Sequence, residues 1–205
     1  MTETPDAARR IILASASSAR ADLLRGAGID FTVDPARVDE ESVKDSLKAE
    51  GATARDVAIA LADLKAAKIS ARHPDALVIG ADQMLDCNGV WFDKPPDRDI
   101  LQAQLMALRG KTHHLEAALC IHQQGRRIWH TVERAALTMR DFSDAFLKDY
   151  VAAAGDDALA SVGGYRLEGI GAQLFAKIEG DYFTILGLPL LPLLDFLRHH
   201  GVVQK

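Results

Sequence analysis

The sequence predicts an α/β fold built on a mixed β-sheet, and three observations lead there. Short apolar runs alternate with stretches of helical periodicity from Arg10 to the C-terminus. An Asn88-Gly89 pair stands between two apolar runs, the strongest short-range sign of a hairpin. Two long alternating stretches, Thr112 to Gln123 and Arg127 to Met139, meet at Gln124-Gly125. Hairpins make antiparallel neighbours, so the sheet is mixed rather than all parallel.

The elements follow in order. Arg10-Ile11-Ile12-Leu13-Ala14 reads as a short buried strand, and Ala19 to Ala27 as a helix with Leu23 and Leu24 on its apolar side, stopped by Gly26 and Gly28. Phe31-Thr32-Val33 is a brief strand. Pro35 to Glu50 reads as a charged loop holding one helical turn. Ala52 to Arg72 is a long helix, because Val57, Leu61, Leu64 and Lys68 fall at helical spacing. After His73-Pro74-Asp75 comes the hairpin, turning at Cys87-Asn88-Gly89. Asp97 caps a second amphipathic helix ending at Leu108. Beyond the two long strands, Asp141 to Ala154 is helical. Gly163 to Asp181 is glycine-rich, with a strand from Leu174 to Ile178. Thr184 to Leu186 reads as another strand and Leu190 to His200 as a closing helix.

Length and composition bound the function. The 205 residues form one domain, with residues 1–9 as a tail, and no composition shift marks a linker. Apolar residues make up 48% of the chain, enough for a full core. The net charge of −5, with both signs interspersed, argues against a nucleic-acid or membrane surface. A small anionic ligand needs only a few local cations and a helix N-terminus. Cys87 and Cys120 have no CxxC spacing, so a reducing cytoplasm is the expected compartment. Met1 to Arg10 is polar and acidic, unlike a signal peptide. The apolar stretch from Ile185 to Leu194 is broken by prolines and too short to span a bilayer.

Two places carry chemistry. The run Val78-Ile79-Gly80-Ala81-Asp82-Gln83 ends a strand with a carboxylate, and the hairpin returns with Lys94 before Pro95. That pairing brings Asp82 and Lys94 within reach of one point. An acid there can hold a metal or accept a proton from water, and the ammonium can neutralise a phosphate oxygen. Near the N-terminus, a strand, the serines Ser15 and Ser17, and a helix with Arg20 in its first turn make an anion cradle. Taken alone, a serine in that place is an N-cap. His113, His114 and His122 suggest zinc, but adjacent strand residues face opposite ways. A serine hydrolase would need a Gly-x-Ser-x-Gly elbow, which the sequence lacks.

Leu13-Ala14-Ser15-Ala16-Ser17-Ser18-Ala19-Arg20-Ala21-Asp22-Leu23-Leu24 resembles the opening of the Maf family, the septum-formation-inhibitor-like nucleotide pyrophosphatases. Val38-Asp39-Glu40 is similar to its acidic motif, and Leu61 to Ala66 to its lysine-bearing helix. Val78 to Gln83 and Lys94-Pro95 are similar to its Gly-Ala-Asp and Lys-Pro motifs, and Gly164 to Pro189 to its C-terminal block. The motifs stand in family order from Leu13 to about Leu197. The resemblance implies a curved mixed sheet flanked by helices, in two lobes with a central cleft. It implies hydrolysis of a nucleoside triphosphate to a monophosphate and pyrophosphate with a divalent cation, Mg²⁺ or Mn²⁺. Asp82 would accept the proton. Ser17, Arg20, Glu40, Lys65 and Lys94 match positions lining the phosphate and metal site, Glu40 and Asp82 being the metal ligands. A small-molecule nucleotide is the expected partner, and a homodimer is expected by analogy.

Specificity is read at three positions. The family branch acting on thymidine and uridine triphosphates has arginine, threonine and glutamine where this chain has Ala19, Gln83 and Glu168. Gln83 and Glu168 resemble the branch acting on 7-methylguanosine triphosphate. A carboxylate only accepts, which suits the N1–H and 2-amino donors of guanine, and N7-methylation makes the base cationic. Ala19 leaves extra room beside the base, so another modified purine also fits. Two alternatives stand beside this reading: a dTTP/UTP pyrophosphatase, and a nucleotide-binding regulator of cell division without turnover.

Overall fold

The computed structural model describes residues 10–204; the tail expected at residues 1–9 lies outside the described residues. The class is mixed α/β. Among the described residues seven strands hydrogen-bond in the order β2-β1-β3-β5-β6-β7, with β4 on β3. The chain divides into two compact units, each assembled from separate segments.

The first unit takes residues 10–82, 117–133 and 187–204. Strand β1 (Ile11–Leu13) is wholly buried. It runs parallel to β2 (Thr32–Val33) and to the start of β3 (Leu77–Cys87), with Ile12 opposite both Thr32 and Val78. Its uninterrupted apolar run is what an interior parallel strand requires. Helix α1 (Ser18–Gly26) buries Ala21 and Leu24. Helix α3 (Ala54–Ser70) starts in a capping box, Thr53 and Asp56 satisfying each other's backbone N–H groups, which places the start two residues later than the apolar spacing suggests. It buries Val57, Leu61 and Ile69 along one stripe. Helix α7 (Leu190–His199) stacks Phe196 against Trp129, ring centroids 5.1 Å apart.

One expectation fails here. Residues expected as a charged loop form helix α2 (Glu40–Ala49). Asp39 caps it through Ser42 N–H at 3.1 Å, Glu40 and Glu41 sit in its first turn and Lys48 in its last. None of its residues is buried, and its apolar face rests on one pair, Val43 and Leu47, four residues apart among charges.

The second unit takes residues 83–116 and 134–186. The Asn-Gly hairpin forms as expected: β3 turns through Asn88 and Gly89, at φ 56° and 84°, into antiparallel β4 (Val90–Phe92). Asp97 caps α4 (Arg98–Leu108), which buries Leu101, Leu105 and Leu108. Strands β5 (Thr112–Gln123) and β6 (Arg126–Met139) belong to both units. Helix α5 (Asp144–Ala154) is capped by Ser143, and β7 (Phe175–Glu179) pairs antiparallel with the end of β6. The second correction is at Thr184 to Leu186. That stretch was expected as a strand but belongs to a short helix, α6 (Tyr182–Ile185), because the Asp181 carboxylate caps Thr184 N–H at 2.8 Å. Leu85, Leu101, Leu105, Leu115, Leu137 and Leu147 centre the core. Both cysteines are free and buried, and among the described residues no helix is long and apolar enough to cross a membrane.

His113 is fully buried in this core, its Nε2 at 2.6 Å from the Tyr165 hydroxyl. Burial, helped by His114, pushes its pKa down to about 4. An unfolded chain protonates His113 near pH 6.5, so between pH 6.5 and 4 the unfolded state binds the extra proton. Stability is therefore expected to fall as pH drops through that window, by roughly 3 kcal/mol at 1.36 kcal/mol per unit. Urea midpoints measured between pH 7 and pH 4 check this. His113→Gln keeps a polar partner for Tyr165 and is expected to flatten the slope by up to one proton. An unchanged slope would assign the effect to another group.

Candidate active site

The serines and Arg20 assemble at the turn from β1 into α1. Ser17 is the N-cap, its hydroxyl accepting from Arg20 N–H at 3.4 Å. Ser15, 7% exposed, accepts from Ser17 N–H at 3.3 Å. The Arg20 guanidinium turns inward. Its Nη1 donates to Ser15 Oγ at 3.0 Å and to the Ala81 carbonyl at 2.9 Å, and its Nε donates to the Gly187 carbonyl at 2.9 Å. One side chain thus ties the β1 turn to β3 and to the segment entering α7. Burial lowers the Arg20 pKa, opposed by the charges of Asp82 and Glu40.

The central feature is a buried ammonium between two carboxylates. Lys65, on the buried stripe of α3, is 7% exposed. Its Nζ lies 2.6 Å from Asp82 Oδ1 and 2.7 Å from Glu40 Oε1. Asp82 is 5% exposed. Burial raises its pKa above the usual carboxylate range, partly offset by the charges of Lys65 and Arg20. Glu40, the first residue of α2, moves the other way. Its partial burial acts upward, but the Lys65 contact, with Lys44 and Arg20, brings it below its usual value.

Backbone packing explains how Asp82 arrives there. A Cβ at Gly80 would run into the Ala62 carbonyl of α3 and lie 2.7 Å from Ala66 N. Only glycine lets β3 approach the helix that closely. Two residues on, Asp82 meets Lys65, one turn along the same helix from Ala62.

The second unit holds Gln83, Lys94 and Glu168. Gln83 donates through Nε2 to the carbonyls of Thr184 and Ile185 at 3.0 and 3.1 Å. Both amide hydrogens are thereby committed, which fixes the amide orientation and leaves Oε1 as the acceptor. Lys94 is exposed, just after β4 and just before buried Pro95. Glu168 accepts from Arg166 Nε at 2.8 Å. Ala19 lies half-buried in the first turn of α1, in the first unit.

The first unit therefore gathers Ser15, Ser17, Arg20, Glu40, Lys65 and Asp82, all singled out from the sequence. Unforeseen were the carbonyls of Ala81 and Gly187 that hold Arg20, those of Thr184 and Ile185 that hold Gln83, and Arg166 beside Glu168. A backbone carbonyl leaves no mark in a sequence. The histidines do not converge: His113 meets Tyr165 in the second unit, while His122 meets Asp63 at 2.7 Å in the first.

The donor set suits a hard divalent cation. Such ions take oxygen ligands, and Mg²⁺ is commonly held by one or two carboxylates together with substrate phosphates. Glu40 and Asp82 are two carboxylates brought within the span of one ammonium. Among the described residues no group of three histidine, cysteine or acidic side chains gathers for an all-protein site.

A family model described as Maf-like protein matches residues 10–200. The chain is 60% identical to the nucleoside triphosphate pyrophosphatase of Paramagnetospirillum magneticum, over 93% of this chain and 98% of that protein. It is 56% identical to the protein of the same name from Granulibacter bethesdensis, covering 93% and 97%. Nucleoside triphosphate pyrophosphatase 1 of Jannaschia sp. is 47% identical, covering 95% and 98%.

Proposed function

The chain belongs to the Maf-like protein family, and from that premise we propose that it is a hydrolase splitting nucleoside triphosphates into monophosphate and pyrophosphate, with preference for 7-methylguanosine triphosphate or a related modified purine nucleotide. The observation that carries the reaction is the Lys65 ammonium bridging Glu40 and Asp82 beside Arg20. Lys65 and Asp82 are buried together, with Glu40 closing the cluster from its half-exposed position. Relatives named nucleoside triphosphate pyrophosphatase support the same chemistry.

In the proposed mechanism Asp82 takes a proton from water as the water oxygen bonds to the α-phosphorus. The α–β anhydride bond breaks and pyrophosphate leaves with the electron pair. Arg20 and Lys65 neutralise phosphate oxygens, and Ser15 and Ser17 orient the first helix turn toward an anion. Glu40 and Asp82 would hold Mg²⁺ or Mn²⁺, which supplies charge neutralisation on the phosphates. Arg20 is pre-ordered by three hydrogen bonds, so little reorganisation accompanies binding.

Base preference rests on acceptors. Gln83 presents only its carbonyl oxygen, its N–H groups being held by α6. Glu168 can only accept. Guanine offers donors at N1 and the 2-amino group, and a matched contact of this kind discriminates by about 1–3 kcal/mol in base recognition. In a pyrophosphate-release panel, 7-methyl-GTP is expected to give the highest kcat/KM, roughly ten- to a hundredfold above dTTP and UTP. Best turnover of dTTP or UTP refutes the preference. Binding without metal-dependent turnover of any nucleotide would favour the regulator.

A further inference from the structure

The loop bearing Glu168 is folded more tightly than a surface loop needs, and its tightness centres on Arg166. Tyr165 anchors one end. It is buried, bonded to His113, and its ring meets Phe175 edge-on with centroids 4.8 Å apart. From there the chain doubles back. Gly169 N–H donates to the Arg166 carbonyl at 3.2 Å, and Ala172 N–H donates to the Gly169 carbonyl at 3.1 Å. A Cβ at Gly171 would collide with the Arg166 carbonyl and come within 2.9 Å of Arg166 N. The backbone of Arg166 is thus the post around which the loop closes.

The side chain of Arg166 reaches back along that loop. Its Nε donates to Glu168 Oε1 at 2.8 Å, and its Nη1 lies 3.9 Å from Asp157 Oδ2. The Glu168 side chain is 28% exposed and that of Arg166 42%. Both line a hollow of about 390 Å³ with Asp157, Tyr150 and Ile170. One oxygen of Glu168 is therefore committed to the guanidinium, and the other is left to accept from a ligand.

We infer that Arg166 is a specificity-determining positioning residue, holding Glu168 in the orientation that reads the base. This rests on the reading of Glu168 as the base-facing acceptor. A free glutamate side chain loses much rotamer freedom when a ligand orders it. Arg166 imposes that order in advance, so its benefit falls on substrate binding rather than on the chemical step. The ion pair is too exposed to carry the fold. A merely structural role would move stability, whereas a positioning role moves KM.

The experiment uses the full chain, with 7-methyl-GTP and GTP as substrates. Arg166→Met is expected to raise KM for both five- to tenfold while kcat changes less than twofold. Arg166→Lys, which keeps the charge but loses the directed Nε–H, is expected to recover part of the loss. In a Glu168→Ala background, which removes the acceptor, Arg166→Met is expected to add nothing further. A lowered or unchanged KM in Arg166→Met overturns the inference, as does an equal effect in the Glu168→Ala background. A lower KM would mean that the guanidinium repels the cationic base. The premise has its own test. Glu168→Gln that leaves the base preference untouched removes the reading of Glu168, whereas a shifted preference with an inert Arg166→Met removes only the role of Arg166.

Discussion

Asp82→Asn is expected to lower turnover of 7-methyl-GTP about a thousandfold while nucleotide binding persists. General-base catalysis contributes roughly 10²–10⁴ in rate, and asparagine cannot accept the proton. The substitution keeps the side-chain shape, and its carbonyl oxygen can still receive the Lys65 hydrogen bond that now spans 2.6 Å. Arg20 stays in place, because it is held by Ser15, Ala81 and Gly187 rather than by Asp82. The fold is expected to survive, since the change removes a charge from a position only 5% exposed. Single-turnover pyrophosphate release and calorimetric titration separate the two quantities. Near-normal turnover in Asp82→Asn would move the role of base to another group.

Much of this arrangement was legible in the sequence wherever one local rule decided it. The Asn88-Gly89 turn, the Asp97 cap and the placement of Arg20 in the first turn of α1 each follow from a few adjacent residues. The misses share a cause. Helix α2 buries nothing, and its apolar spacing is a single pair, Val43 and Leu47, so its cap and charge order had to be read together with that pair. At α6 the β-branched Thr184 and Ile185 suggested a strand, but capping by Asp181 overrode propensity over four residues. The site divides along the same line. Its residue types were visible one by one. That a single ammonium joins Glu40 to Asp82 was not, because three elements distant in the chain must pack before those atoms meet. Two lobes were expected from the resemblance alone; that each unit is stitched from separate segments with no linker left no mark in composition or spacing.

Lys65→Met is expected to destabilise the protein by about 3–5 kcal/mol, the usual cost of removing one partner from a buried charge cluster. Lys65 and Asp82 are 7% and 5% exposed, so the carboxylate left behind has little access to water. Glu40, freed beside it, adds like-charge repulsion that Arg20 only partly offsets. For a chain of this length 1 kcal/mol corresponds to roughly 2–4 °C, so the thermal midpoint is expected to drop by about 10 °C. Methionine preserves the apolar stem along α3, and the loss therefore reports on the ammonium rather than on packing. The same substitution bears on the metal reading. With the ammonium gone, Glu40 and Asp82 no longer share their oxygens with a competing cation, and Mg²⁺ is expected to raise the midpoint of Lys65→Met by more than that of the unaltered chain. A midpoint within 2 °C of the unaltered protein (the shift that roughly 1 kcal/mol or less would give) would show that the bridge contributes little. An equal response to Mg²⁺ in both proteins would show that the two carboxylates do not act together on a cation.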